Sequence, residues 1–197
     1  MLVLQIKDKK TYKRQTKNIR ITYNLYRNKK NDSVSINLNL YSSLIFFLYL
    51  QLGICTTMKV SIITSCYNRE TTIRDSIESV LSQDYNNIEY IVVDAKSKDK
   101  TLDIINEYKD KISIIISEPD NGMYEGINKG IRLATGDIIG LLHSDDVFYA
   151  DDTISRVVKE MKRTRAELAY GNGIFVKPSN MNHIIRDWIS GQYIPSR

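Results

Sequence analysis

From residue 58 onward, short apolar runs alternate with stretches whose apolar residues recur every three or four positions. Residues 60–64 form a β-branched run closed by the polar loop 65–68, and in 71–82 the spacing of Ile73, Ile77, Val80 and Leu81 marks one face of a helix. The unit then repeats. Residues 88–93 predict a strand ending at Asp94, a loop carries Lys96, Ser97 and Lys98, and Leu102, Ile104, Ile105 and Tyr108 mark the next helix. A third strand is expected at 112–116, a Pro-Asp-Asn-Gly turn at 119–122, and a helix at 124–134 stopped by Thr135-Gly136. Residues 138–142 predict a fourth strand, 153–161 a helix, and 168–176 a fifth strand interrupted by Gly171 and Gly173. Such alternation implies an α/β fold, a mostly parallel sheet with helices on both faces.

Residues 1–57 break the pattern. They hold ten Lys or Arg against Asp8 and Asp32, a local charge of +8, which leaves −3 for the other 140 residues of a chain whose total is +5. The basic balance therefore belongs to this stretch, and its cations are scattered among Asn, Tyr and Ile without a nucleic-acid-binding motif, so no nucleic-acid partner is expected. The apolar run 44–55 is about half the length that spans a bilayer as a helix. The expectation is a poorly structured extension over 1–57, from an upstream start, and a domain over 58–197. Cys55 and Cys66 have no metal-ligand or CxxC spacing, which fits a reducing cytoplasm and indicates neither a disulfide framework nor a zinc site.

Asp145 and Asp146 follow the fourth strand and Asp94 ends the second. If those strands are neighbours, three carboxylates gather at the carboxyl edge of the sheet, where open α/β sheets bind ligands. The chain has neither GxGxxG nor the Walker GxxxxGK[ST] loop, so a dehydrogenase-like dinucleotide site and a P-loop are disfavoured. Acids clustered without His or Cys favour a hard cation, Mg²⁺ or Mn²⁺, which commonly bridges one or two carboxylates to substrate phosphates.

Three segments in this order, VSIITSCYNRE, IEYIVVDAKSKDKT and SEPDNGMYEGINKGIRLATGDIIGLLHSDD, carry a resemblance over residues 58 to about 194. The chain resembles the family 2 glycosyltransferases of the GT-A fold, and its EPDNGMY form is similar to enzymes that build bacterial surface polysaccharides. The resemblance implies a metal-dependent, inverting transfer of a sugar from a nucleotide diphosphate donor to a saccharide or lipid-linked saccharide acceptor. It implies a cytoplasmic enzyme, associated peripherally with the inner face of the membrane. Ser65, Tyr67, Asn68 and Glu70 would line the base, Asp94 would accept a hydrogen bond from base or ribose, and Ser97 belongs to the same donor loop. Asp120 and Gly122 would open a helix whose Asn128 lies near the donor pocket. Asp145 and Asp146 would contact ribose and metal, with the order of the two left open.

The departures from the family pattern have consequences of their own. Where relatives favour GGSTDGT, this chain has Ala95-Lys96-Ser97-Lys98-Asp99-Lys100-Thr101, so a positive φ at Lys96 would cost about 1 kcal/mol or more, offset by a charge that suits a diphosphate. His143 stands where an acid or amide is usual, and a packed strand-end histidine is expected; Trp188 is expected to be a hydrophobic anchor. Relatives continue beyond the stretch resembling 185–194 into an acceptor-binding half with the general base. The alternative reading is therefore a C-terminally shortened nucleotide-sugar-binding protein of the same fold, weak or inactive in catalysis.

Overall fold

The computed structural model describes residues 3–6, 57–177 and 180–189. Strand β1 (Val3–Ile6) comes first, and the regular alternation begins at β2 (Val60–Cys66). It continues through α1 (Ile73–Leu81), β3 (Ile88–Asp94), α2 (Thr101–Glu107), β4 (Ile114–Ser117), α3 (Met123–Leu133), β5 (Ile138–Leu141) and α4 (Thr153–Thr164). These elements match the apolar periodicity to within a few residues at each end, the usual blur of frayed termini. The fold class is the expected one, GT-A-like α/β.

Among the described residues six strands form one sheet in the order β4-β3-β2-β5-β1-β6, where β6 is Leu168–Tyr170. Strands β2 to β5 run parallel, with Val60 opposite Ile88 on one side and Ile138 on the other. β3 and β5 are therefore not neighbours: β2 lies between the strand of Asp94 and the strand that leads to Asp145. β1 is antiparallel to both β5 and β6. Four residues of the stretch read as an extension thus lie in the sheet. They do so by backbone pairing, of which a four-residue run gives no readable side-chain period. The remainder of residues 1–56, including the apolar run 44–55, lies outside the described residues. Among the described residues no helix is long and apolar enough to cross a membrane.

The expected fifth strand is two strands in two sheets. β6 ends at Tyr170, and after Gly171-Asn172 the chain enters β7 (Gly173–Lys177), which pairs with β8 (Asn180–Trp188) as a separate antiparallel ribbon. On the ribbon, Trp188 is half exposed and stacks on Phe175 at 6.2 Å between ring centroids, with the Arg186 guanidinium over both rings.

The core divides across the sheet because successive strand residues face opposite sides. Val60, Ile62, Tyr90 and Val92 pack with Ile73, Ile77 and Val80 of α1, Ile105 of α2, and Ile154, Val158 and Met161 of α4. On the other side Ile63, Ile91 and Val93 meet Ile127 of α3. That helix sits unusually close. A Cβ on Gly130 would stand 2.4 Å from Ile63 Cγ2, and one on Gly126 2.3 Å from Ser65 Oγ, so only glycine permits the approach. Gly130, two residues after Asn128, therefore has a packing role.

Candidate functional site

The carboxyl ends of β2, β3 and β5 open onto a cleft of about 710 Å³. Ser65, Cys66, Tyr67 and Arg69 line it from the end of β2, Ala95, Lys96 and Lys98 from the loop after β3, and Pro119, Asp120, Gly122 and Met123 from the entry to α3. His143, Ser144 and Asp145 complete the wall from the turn after β5. Parallel strands put this edge at the loops, as in other open α/β sheets.

Two of those loops are tied to each other residue by residue. Asn68 donates its N–H to Ser97 Oγ at 2.9 Å and accepts at Oδ1 from the Lys98 N–H at 2.9 Å. The Arg69 N–H donates to Thr101 Oγ1 at 2.6 Å, the Glu70 N–H to Asp99 Oδ2 at 3.1 Å, and Glu70 Oε2 accepts from the Lys100 N–H at 3.0 Å. Asn68 and Glu70, expected to line the base, and Ser97 of the donor loop thus hold loop to loop and are not among the residues lining the cleft. Asn68 and Lys96 both have positive φ, 52° and 58°. Asn tolerates that region, whereas the lysine bears about 1 kcal/mol or more of strain.

Asp94 is fully buried. Its carboxylate accepts from the Ser97 N–H at 3.1 and 3.2 Å, from the Ser97 hydroxyl, and from Ser117 Oγ at 2.6 Å. The Cys66 thiol lies 3.9 Å from Asp94 Oδ1, and burial, then the neighbouring carboxylate, push its pKa far above the ordinary thiol range. Cys66 is accordingly an inert, packed thiol. Asp94 anchors the loop from beneath and does not reach the cleft wall.

The Asp145–Asp146 turn is pinned from α1. Ser76 Oγ donates to the Asp146 carbonyl at 2.6 Å and to the His143 carbonyl at 3.2 Å, and the Asp146 N–H donates to the His143 carbonyl at 3.0 Å. Asp145 projects into the cleft with its side chain 55% exposed, 3.9 Å from the Arg69 guanidinium. An exposed pair at that distance contributes little to stability. Asp120 Oδ1 accepts from the Gly122 N–H at 3.0 Å, while Oδ2 is buried without a hydrogen-bond partner among the described residues. A buried carboxylate oxygen left so is costly, and at a cleft wall it suits a ligand hydroxyl.

Of the residues expected at the site, the cleft brings together Ser65, Tyr67, Asp120, Gly122 and Asp145; Asn68, Glu70, Asp94, Ser97, Asn128 and Asp146 stand behind or beside it. The wall also contains Arg69, Lys98, Met123 and His143, which the pattern did not single out for the site. The signal for Arg69 was present in its position between Tyr67 and Glu70. Among the described residues no three of His, Cys, Asp and Glu converge to hold a metal. Mg²⁺ and Mn²⁺ often take only one or two carboxylates and complete their shell with phosphate oxygens and water, an open arrangement that Asp145 on the cleft wall suits and a closed protein cage does not.

Both the sequence and the fold are similar to those of known proteins. The chain is 36% identical over 135 residues to the Escherichia coli UDP-Glc:alpha-D-GlcNAc-diphosphoundecaprenol beta-1,3-glucosyltransferase WfaP, covering 63% of this chain and 53% of that protein. It spans about half the length of the curated relatives it matches. Among solved structures, S. aureus TarS 1-349 in complex with UDP-GlcNAc superimposes with a TM-score of 0.50 at 27% identity, over 54% of this chain and 32% of that one. The mannosyltransferase PcManGT from Pyrobaculum calidifontis, in complex with GDP-Man and Mn²⁺, shares the fold with a TM-score of 0.51 at 20% identity, over 73% of this chain and 46% of that one. The family model for glycosyl transferase family 2 matches residues 61–192, and the chain belongs to that family.

Proposed function

We propose that the cleft binds a nucleotide diphosphate sugar and that the chain transfers the sugar, with inversion, to a saccharide or lipid-linked saccharide acceptor in polysaccharide assembly. The observation that carries this reading is the convergence of the β2 and β3 loops, the entry to α3 and the Asp145–Asp146 turn on one cleft in a family 2 chain. Tyr67 and Ser65 offer a face and a hydroxyl to the nucleoside, the buried Asp120 Oδ2 accepts from a sugar hydroxyl, and Asp145 with Asp146 would hold Mg²⁺ or Mn²⁺. Such a cation supplies Lewis-acid stabilisation of the charge that grows on the departing phosphate oxygen. The name of the E. coli relative couples a sugar nucleotide to a diphosphoundecaprenol-linked acceptor. A lipid-linked acceptor of that kind would bring this chain to the inner face of the membrane.

A second reading, donor binding with little or no turnover, is favoured by the acids of the cleft. Among the described lining residues the carboxylates are Asp120 and Asp145; Asp145 pairs with Arg69, and the open oxygen of Asp120 is buried. With Asp145 assigned to the cation and Asp120 to the sugar, no further carboxylate of the described lining remains to take the proton of an acceptor hydroxyl. Calorimetry of the full chain with UDP-, GDP- and dTDP-sugars, with and without Mn²⁺, followed by a sugar-release assay, tests both. Binding of one donor in roughly the micromolar to millimolar range with turnover supports transfer. Binding without turnover selects the second reading, and no binding of any donor in Mn²⁺ overturns both.

A further inference from the structure

Three cationic side chains, Arg69, Lys96 and Lys98, line the same cleft as the two acids Asp120 and Asp145. They come from the two loops that are bonded together, so their backbones are held as one unit: the Arg69 N–H by Thr101, the Lys98 N–H by Asn68, and Lys96 by the turn around the buried Asp94. Lys96 is the telling member. Its φ of 58° is a conformation that glycine adopts freely and lysine adopts at a cost, yet a lysine stands there with its side chain at the cleft wall. A strained residue at a cleft wall points to a task for its side chain. A diphosphate carries the charge that an ammonium group at this position would meet.

We infer that Lys96, supported by Lys98 and Arg69, is a diphosphate-binding residue that lets this chain hold a nucleoside diphosphate without a divalent cation. The inference rests on the nucleotide-sugar reading above and adds to it a metal-independent part of the grip. Arg69 serves it by exchange, since a diphosphate entering the cleft offers the guanidinium a stronger partner than the exposed Asp145 at 3.9 Å.

Calorimetry with UDP and with uridine, or with whichever of GDP and dTDP binds in Mn²⁺ and its own nucleoside in their place, each in EDTA and in Mn²⁺, tests this on the full chain and on Lys96→Gly and Lys98→Ala. The expected result is that the unmodified chain in EDTA binds UDP more tightly than uridine. Lys96→Gly weakens UDP about tenfold in EDTA and leaves uridine unchanged, the size of a lost charge-assisted contact. Its melting temperature stays equal to or above that of the unmodified chain, because glycine relieves the backbone; a residue with a merely structural role would not separate binding from stability in this direction. Lys98→Ala gives a smaller loss of the same kind, with its backbone bond to Asn68 intact. Equal UDP affinity in the unmodified chain and Lys96→Gly overturns the inference alone, as does UDP binding that vanishes in EDTA. Failure of UDP, GDP and dTDP all to bind in Mn²⁺ overturns the functional reading and this inference with it.

Discussion

At the two ends of β3 stand two buried carboxylates with opposite duties, Glu89 at the start and Asp94 at the finish. Glu89 is closed off. Lys59 Nζ donates to it at 2.6 Å, Ser61 Oγ at 2.5 Å, and Thr135 through its N–H at 2.7 Å and its hydroxyl at 2.6 Å. Ser61 Oγ in turn accepts from the Gly136 N–H at 2.8 Å, so the cluster joins the starts of β2 and β3 to the end of α3. Burial by itself would raise the Glu89 carboxyl, but those donors outweigh it and hold it down at about 2. Asp94 is bonded to hydroxyls and an N–H of the very loop that walls the cleft. One end of the strand spends its charge on fastening the sheet, and the other spends it on shaping a binding loop.

The sharpest way to break this contrast is Glu89→Ala. Removing a carboxylate that satisfies four donors should cost about 3 kcal/mol of stability at pH 7, measured by urea unfolding, with nucleotide affinity of the folded protein unchanged. The same group predicts a pH signature. A depressed carboxyl contributes its full stability above its ordinary value of 4.5 and loses it as pH falls towards about 2, so the gap between wild type and Glu89→Ala should close across that window. A gap independent of pH would mean that Glu89 acts through packing alone.

Next in size is Asp94→Ala. With the Ser97 N–H, the Ser97 hydroxyl and Ser117 Oγ left without their acceptor, about 2 kcal/mol of stability should be lost. Unlike the Glu89 variant, this one should also lose nucleotide binding, because residues 95–98 drift from the cleft wall. Retained affinity in a destabilised protein would reduce Asp94 to a second Glu89. The smallest effect on stability belongs to Asp145→Asn, at most about 0.5 kcal/mol by thermal unfolding, since the side chain is half exposed. Its effect should fall on the Mn²⁺-dependent part of donor binding, about tenfold by calorimetry; an unchanged Mn²⁺ dependence would remove Asp145 from the metal site.

Much of the fold was legible because local periodicity reports which face of each element is apolar. The runs that became β2, β3 and β5 and the spacings that became α1, α3 and α4 needed no more than that. The split of 168–176 into β6 and β7 was less legible, since Gly171-Asn172-Gly173 reads equally as a weak strand and as a break. The site was half legible. Asp145, Asp120 and Tyr67 reach the cleft as strand-end and turn residues were expected to. Asn68, Glu70 and Ser97 do not, because backbone N–H groups of the facing loop compete for the same oxygens at close range, and which loop faces which is settled by strand order.

By itself, then, the sequence determined an alternating α/β chain of the GT-A kind, with acids at strand ends and lysines where a permissive loop would carry glycine. Only the tertiary structure decided that β2 separates the strand of Asp94 from the strand leading to Asp145, that Val3–Ile6 pairs between β5 and β6, and that Lys96 bears a left-handed backbone at the cleft wall. The physical reason is range. Apolar period and turn chemistry act over a few residues, whereas strand neighbours and the sharing of buried donors and acceptors join residues about 30 to 140 apart, as Asn68 with Ser97 and Leu4 with Gly140.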